Sequence, residues 1–315
     1  MKTLFVLDPL SKLMPEYDSS LHLLAELGRR GHKTWAADVP DLWENTGDVF
    51  ARCRPVRQVS PLHYRQGPAA ARRLRDFDLV LVRKEPPFDS RYLAMTYLLE
   101  RAARHVFISN DPRGIRNNNE KLCCFQFPRW MPRTLVASDA GTILAFRRQL
   151  RKDVVIKPLD LKGGEGIFIL PGAARQASRA LEKATKKGSR VILAQEFLET
   201  KTPGDKRIFI LEGKFLAAYE RRPKPGEFRS NLGQGGSFHA VELTAREKQM
   251  VREMGPFLRK EGLHFVGIDV MQEKLLEINV TCPGGYPEAI RLYPKKLLLE
   301  AWADWLERRA RNHRR

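Results

Sequence analysis

The sequence predicts an α/β unit followed by an α+β unit of mostly antiparallel sheet. Strand and helix signals alternate through the first part of the chain. The apolar run Asp78-Leu79-Val80-Leu81-Val82-Arg83 reads as a buried parallel strand. Late in the chain, residues 265–280 read as two short strands about a tight polar turn at 272–274.

A strand over 3–7 leads through a proline-containing loop to a helix over 19–30, ended by Gly31. A strand over 34–37 follows, then a less regular arginine-rich stretch, the buried run, a helix over 91–104 and a strand over 106–109. That alternation argues for a parallel sheet covered by helices, in which ligands bind beyond the carboxyl ends of the strands. Asp8 and the segment Arg83-Lys84-Glu85-Pro86-Pro87-Phe88-Asp89 each lie just past such an end, so both loops should open onto one crevice. The pattern then changes. Strands are expected over 153–158, 166–170 and 190–194, with a helix over 173–187 before the last of them. Strands over 207–211 and 215–220 hinge at Glu212-Gly213-Lys214, a helix over 245–260 precedes the hairpin, and a helix from Pro287 runs into the tail.

A chain of 315 residues, 43% of them hydrophobic, can bury two sizeable cores. No apolar run approaches the roughly 18–20 residues that cross a membrane. The opening segment turns acidic at Asp8, unlike a secretory signal, and the four cysteines lack a CxxC spacing. Reduced thiols in a cytoplasmic protein are the expectation. The net charge of +19 would attract phosphates, but the cations are scattered and the densest run is the tail from Arg308 to Arg315. Cations at the end of a helix also suit its dipole. No DNA- or RNA-binding module accompanies them, so nucleic acid is not the expected partner. Small anionic substrates are.

Folding the hairpin about Glu273 sets Asp269 opposite Glu277 and Gly267 opposite Asn279. Side chains alternate faces, so Asp269, Glu277 and Asn279 share one face and Ile268, Val270, Leu276 and Ile278 the other. Opposed side chains lie roughly 4.5–5.5 Å apart, where like charges repel. Two carboxylates and an amide beside a glycine suit a hard divalent cation, magnesium first. A hairpin with one solvated polar face would carry the same residues.

Lys157 ends an apolar strand, and Lys162-Gly163-Gly164-Glu165-Gly166 follows closely. Glycines let backbone N–H groups approach a phosphate, and lysine adds a point charge. An ordinary turn beside a surface lysine reads the same way, and so does Lys121 alone. Ala194-Gln195-Glu196-Phe197-Leu198 suits either a purine pocket or a connecting segment. Gly204-Asp205-Lys206-Arg207 opens a strand, Arg221-Arg222 closes the next, and Arg229-Ser230-Asn231-Leu232-Gly233-Gln234-Gly235-Gly236 follows. Arginines near a glycine-rich loop fit a lid that grips anions bidentately, or an exposed loop with solvated charges.

In this order the motifs resemble those of bacterial glutathione synthetases, members of the ATP-grasp superfamily, along nearly the whole chain. The resemblance rests on Leu7-Asp8-Pro9, Asp18-Ser19-Ser20, Arg83 to Asp89, Asn119-Glu120-Lys121-Leu122 and Ile156-Lys157-Pro158-Leu159-Asp160. Gly163-Gly164, Gly204-Asp205-Lys206-Arg207, Arg229-Ser230-Asn231-Leu232 and Glu277-Ile278-Asn279-Val280-Thr281 continue it. It implies an ATP-grasp fold preceded by a Rossmann-like parallel-sheet domain. The substrate domain would span 1–120 and the ATP-grasp domain 121–315, with a lid subdomain over about 121–196 and a catalytic subdomain over 197–315.

The resemblance also implies a ligase that joins γ-glutamylcysteine to glycine, with ATP as co-substrate, in a homotetramer. Lys121, Lys157, Gly163, Gly164, Gln195, Glu196, Phe197, Leu198, Asp205 and Asn231 would bind ATP. Asp269, Glu277 and Asn279 would hold Mg²⁺ or Mn²⁺. Asp18, Ser19, Arg229, Cys282 and Gly284 would contact the peptide, and Arg207, Arg221 and Arg229 would act in catalysis. A carboxylate reacts with an amine only once its oxygen can leave, and ATP achieves this by making an acyl phosphate. That step needs cations around the moving phosphoryl group, an arginine for the later oxyanion and a lid against water. After Glu277 to Thr281 the family commonly continues Ser-Pro-Thr, whereas this chain reads Cys282-Pro283-Gly284-Gly285-Tyr286. A related ligase for another dipeptide or amine is therefore an alternative. A catalytically silent nucleotide- or nucleic-acid-binding protein is another.

Overall fold

The computed structural model describes residues 1–199, 204–224 and 236–313. The first unit runs β1 (Lys2–Leu7), α1 (Ser19–Arg29), β2 (Lys33–Ala37), β3 (Leu42–Asn45), β4 (Asp48–Ser60), β5 (His63–Gln66), β6 (Ala70–Arg73), β7 (Leu79–Arg83), α2 (Ser90–Ala102), β8 (Phe107–Ser109) and α3 (Pro112–Asn117). Strands β2, β1, β7 and β8 lie side by side in parallel, as the alternation predicts. The arginine-rich stretch is not irregular. It forms the antiparallel strands β3 to β6, joined to the sheet through β4 against β2. Val49, Ala51 and Cys53 point inward with period two, a pattern the intervening exposed arginines masked.

A second unit contains β9 (Thr134–Ala137), α4 (Ala140–Leu150), β10 (Val154–Pro158), β11 (Phe168–Ile169), α5 (Ala174–Ala184) and β12 (Ile192–Glu196). Its four strands are antiparallel in the order β11-β10-β12-β9. Strand β9 and helix α4 had no counterpart in the sequence expectation. The third unit is an antiparallel sheet of β13 (Asp205–Leu211), β14 (Lys214–Arg222), β15 (Ser237–Ala240), β16 (Phe265–Met271) and β17 (Lys274–Asn279), in the order β15-β14-β13-β16-β17. Helix α6 (Ala245–Lys260) packs on it, held at its start by a Thr244–Glu247 capping box. The expected closing helix is two helices, α7 (Tyr286–Leu292) and α8 (Leu298–His313), because Pro294 cannot donate to a continuing helix.

One core welds the first unit to the third. Phe5, Leu7 and Leu23 pack with Phe209, Phe265, Tyr286 and Trp302, all buried. Asn110, just past β8, fastens them by hydrogen bonds: its amide nitrogen donates to Phe265 O (2.9 Å) and Val280 O (2.8 Å), and its oxygen accepts from Phe265 N (2.8 Å). The four-stranded unit keeps a core of its own around Ile143, Val154, Ile156, Leu181 and Ala194. Two separately cored parts thus face each other across a cleft. Among the described residues, no helix is long and apolar enough to cross a membrane.

Candidate active site

The hairpin β16–β17 sets the floor. Asp269 pairs with Glu277 and Gly267 with Asn279, as the sequence predicts. The turn is tighter than expected. Gln272 and Glu273 both adopt left-handed backbone angles (φ 49° and 58°), the two-residue geometry that matches strand twist. Val270 then pairs with Leu275 rather than Leu276, and a bulge restores the register at Glu277. Leu275 therefore fills the core, while Leu276 lines the cleft beside Glu277 and Asn279, contrary to the predicted face.

The cleft, of about 210 Å³, lies between the four- and five-stranded sheets. Lys157 on β10, Gln195 and Glu196 on β12, and Phe197 and Leu198 beyond it form one wall, with Lys162, Gly163 and Gly164 at the edge. Gly163 and Gly164 have φ of 64° and 78°, a conformation that admits glycine far more readily than other residues. Asp205, Arg207, Arg221, Asp269, Glu277 and Asn279 form the opposite wall. Val155, Ile167, Met271 and Leu276 add apolar surface that the sequence reading missed. Val155 was accessible from period two, since it shares a strand face with Lys157. Arg229 and Asn231 lie outside the described residues.

Every arginine here meets a carboxylate. Arg207 donates to Asp269 through Nε (2.6 Å) and Nη2 (3.2 Å), its partner directly across β13 and β16. Arg221 Nη2 lies 3.0 Å from the same carboxylate, and its Nε donates to Asp205 (2.8 Å), its partner across β13 and β14. Burial pushes the Asp269 carboxyl up, but the two guanidinium groups outweigh it and hold its pKa at about 2. Lys121 donates to Glu277 (2.8 Å) and to Leu161 O (3.1 Å). Burial opposes its charge, yet Glu277 overcomes this and raises its pKa. Among the described residues Lys157 donates to the neutral Gln195 (2.7 Å) and to no carboxylate, and burial lowers its pKa despite the pull of Glu277.

Glu120 also escaped the sequence reading, although it adjoins Lys121. Its carboxylate accepts from Val280 N, Thr281 N and Thr281 Oγ1 at 3.0, 3.1 and 2.7 Å, tying the hairpin's end to the segment before the four-stranded unit. Burial first, and Glu277 second, raise its pKa.

The predicted peptide residues sit apart from this cleft, toward the parallel sheet. Asp18 caps α1, accepting from Ser20 N and Leu21 N at 2.8 Å each, and Ser19 Oγ accepts from Tyr286 N at 3.4 Å. Arg83 bridges Ser20 Oγ (3.1 Å) and Pro283 O (3.2 Å), while Arg207 Nη1 donates to Gly284 O (2.9 Å). Cys282 is buried, and desolvation drives its thiol pKa well up. The two loops expected to share a crevice do meet: Lys84 donates to Asp8 (2.7 Å) and Asp38 (2.8 Å). Arg207 thus links the two chambers, with one face on Asp269 and another on the Cys282–Gly284 segment.

A glycine-edged cleft between two antiparallel sheets, with the half-buried Lys157 on one side and arginine-bound carboxylates on the other, defines an ADP-forming ATP-grasp ligase. Solved ATP-grasp structures share the fold. D-cycloserine synthetase DcsG superposes with a TM-score of 0.66 at 15% identity, covering 96% of this chain and 99% of its own. The ligase PsnB, complexed with a precursor variant, Mg and ADP, gives 0.62 at 16% identity over 98% of both. Residues 1–116 match the model of the prokaryotic glutathione synthetase N-terminal domain, and residues 120–293 that of the prokaryotic glutathione synthetase ATP-grasp domain. Glutathione synthetase of Nitrosomonas europaea is 40% identical over 295 residues (91% of this chain, 92% of that one). That of Parasynechococcus marenigrum is 42% identical over 298 residues (94% and 96%). The chain belongs to the prokaryotic glutathione synthetase family.

Proposed function

We propose that this ligase joins γ-glutamylcysteine to glycine, converting ATP to ADP and phosphate. The observation that carries the reading is the cross-strand Asp269–Glu277 pair, set between Arg207, Arg221 and Lys121 in the cleft. Mg²⁺ fits this donor set: two hard carboxylates, Asp269 held ionised far below neutral pH, and the Asn279 amide on the same face. Asp269, Glu277 and Asn279 would hold the ion, and Mn²⁺ suits the same oxygens. When bound, it supplies positive charge to the β- and γ-phosphates.

The chain's own groups account for the rest. Lys157, with no carboxylate partner among the described residues, offers its charge to the phosphates, and Lys121 is held in place by Glu277. Gly163 and Gly164 sit at the cleft edge, where glycine lets the backbone approach a phosphate, while Val155, Ile167 and Leu276 exclude water around a base. The peptide carboxylate attacks the γ-phosphorus and ADP leaves. Glycine's amine then attacks the acyl carbon, and phosphate leaves. Arg207 reaches both chambers and is placed to stabilise the oxyanion of that second step, with Arg221 behind it. Arg229 and Asn231 belong to the proposed cover, and Asp18, Ser19, Cys282 and Gly284 to the peptide chamber. We also assign the substrate domain to 1–120 and the ATP-grasp domain to 121–315, in a cytoplasmic homotetramer.

The test incubates purified protein with ATP, Mg²⁺, γ-glutamylcysteine and a panel of amines, and measures ADP and peptide product. Product with glycine supports the reading. Product with another acceptor alone would assign the departure at Cys282–Gly285 to acceptor choice, and absence of ATP turnover would leave only a silent nucleotide binder.

A further inference from the structure

Among the described residues the catalytic cleft leaves Lys157 alone without a carboxylate, so its chemistry does not account for the net charge of +19. A second cleft, of about 670 Å³, opens between α1, β2 and the β4–β5 hairpin and shares no residue with the first. Arg29, His32, Lys33, Arg57 and Arg65 line it, and no aspartate or glutamate does. Arg29 is matched by Glu26, and His32 by Glu307. Lys33, Arg57 and Arg65 are exposed, and among the described residues none of their side chains meets a carboxylate.

Arg57 and Arg65 are direct cross-strand partners on β4 and β5. Like charges so placed repel and destabilise the pair of strands unless an anion lies between or over them. Other cations of the fold are matched: Lys84 has Asp8 and Asp38, Arg30 has Glu26, Asp304 and Glu307, and Arg221 has Asp205 and Asp269. The unmatched set also consists mainly of arginine, whose planar fork grips phosphate oxygens bidentately. Spread over the sequence from 29 to 65, these residues form no basic run, and only the sheet gathers them.

We infer that the cleft between α1 and the β4–β5 hairpin, built from Lys33, Arg57 and Arg65, binds the phosphodiester backbone of a nucleic acid. Phosphate contacts need no base recognition, which agrees with a surface of charge and no stacking platform. Association should therefore be independent of sequence and strongly dependent on salt.

The experiment measures fluorescence anisotropy of a labelled single strand of about 20 nucleotides, longer than the ~4–16 that one binding face covers. Three phosphate contacts predict an affinity that falls about 20- to 40-fold between 50 and 200 mM salt. The triple variant Lys33→Ala, Arg57→Ala, Arg65→Ala should weaken binding at least tenfold at 100 mM salt, flatten the salt slope by about 2–3, and keep wild-type ligase turnover. The variant Arg308→Ala, Arg311→Ala on the basic tail should bind as wild type. The inference is overturned if wild type does not bind at 50 mM salt, if the triple variant binds equally tightly, or if only the tail variant loses affinity. Competition by ATP would place the strand in the catalytic cleft and overturn it too. Capture of phosphatidylglycerol vesicles or of an acidic protein, with no oligonucleotide binding, would assign the surface to another partner.

Discussion

Replacing Asp269 by Asn keeps shape and removes one charge from the point where Arg207 and Arg221 converge. Asp269 and Arg207 are each 7% exposed, so water offers the guanidinium groups little compensation. Removing one member of such a buried set typically costs about 3–5 kcal/mol, because the charge left behind is unpaired. Part of that loss is tied to protonation. The fall of the Asp269 pKa from 3.8 to about 2 corresponds to about 2–3 kcal/mol of native-state stability. Because the folded pKa is depressed, this contribution is present above pH 3.8 and is lost as pH falls toward 2. Urea unfolding followed by tryptophan emission, with Trp302 in the shared core, should show wild type exceeding Asp269→Asn by about 3–5 kcal/mol at pH 6. The gap should narrow by about 1 kcal/mol at pH 3. Ligase turnover should be lost as well. A gap under about 1 kcal/mol at pH 6, or one equally wide at both pH values, refutes the claim that this carboxylate neutralises both arginines.

Glu277→Gln should abolish turnover with the unfolding midpoint within a few degrees, since Gln still accepts from Lys121; full activity in that variant would remove Glu277 from the metal set. A chelator should stop wild-type turnover and added Mg²⁺ restore it, and recovery without a divalent ion would contradict the oxygen-lined site. Lys157→Met should cut turnover at least about 100-fold and raise the KM for ATP without unfolding the protein, because burial already disfavours the lysine's charge; an unchanged KM would place the phosphates elsewhere. Gly285 has φ of 86°, and a Cβ there would come within 2.0 Å of the Tyr219 hydroxyl. Gly285→Ala should therefore cost about 1–3 kcal/mol or more. Adding Tyr219→Phe should recover part of this, and no recovery would mean that backbone strain alone sets the cost.

Elements with strong period or tight punctuation were legible in the sequence. The period-two alternation of β16 and β17 and a short polar turn sufficed to pair Asp269 with Glu277. The bulge beside them was not legible, because one extra residue leaves the local alternation intact while exchanging Leu275 for Leu276 on the core side. Helix α1 was expected over 19–30 and ended by Gly31, within a residue of where the structure ends it, whereas its Asp18 cap was not read from the sequence. The meander β3–β6 was hidden because its outward positions are arginine, which sequence patterns weigh as surface rather than strand. The same cause hid the second cleft: alignment of Arg57 with Arg65 depends on hairpin register, not on proximity in sequence. Glu120 was missed because its three hydrogen bonds run to residues about 160 positions away, a link that only tertiary packing creates.

On the proposed function, the charge pattern of the cleft favours a divalent ion as part of the chemistry. Lys121 is committed to Glu277, Lys162 to Glu85, Arg207 to Asp269, and Arg221 to Asp205 and Asp269. Among the described residues of the cleft, Lys157 is the cation left without a carboxylate. One buried ammonium cannot offset the several negative charges of a triphosphate, so further positive charge has to arrive with the nucleotide. Asp269, which would receive it on that reading, is kept ionised by the two arginines that pair with it, at a pH where an isolated buried carboxyl would take a proton. On the proposed function Arg207 and Arg221 would hold Asp269 as an anion before ATP binds, and Arg207 would then face the acyl oxygen of the second step.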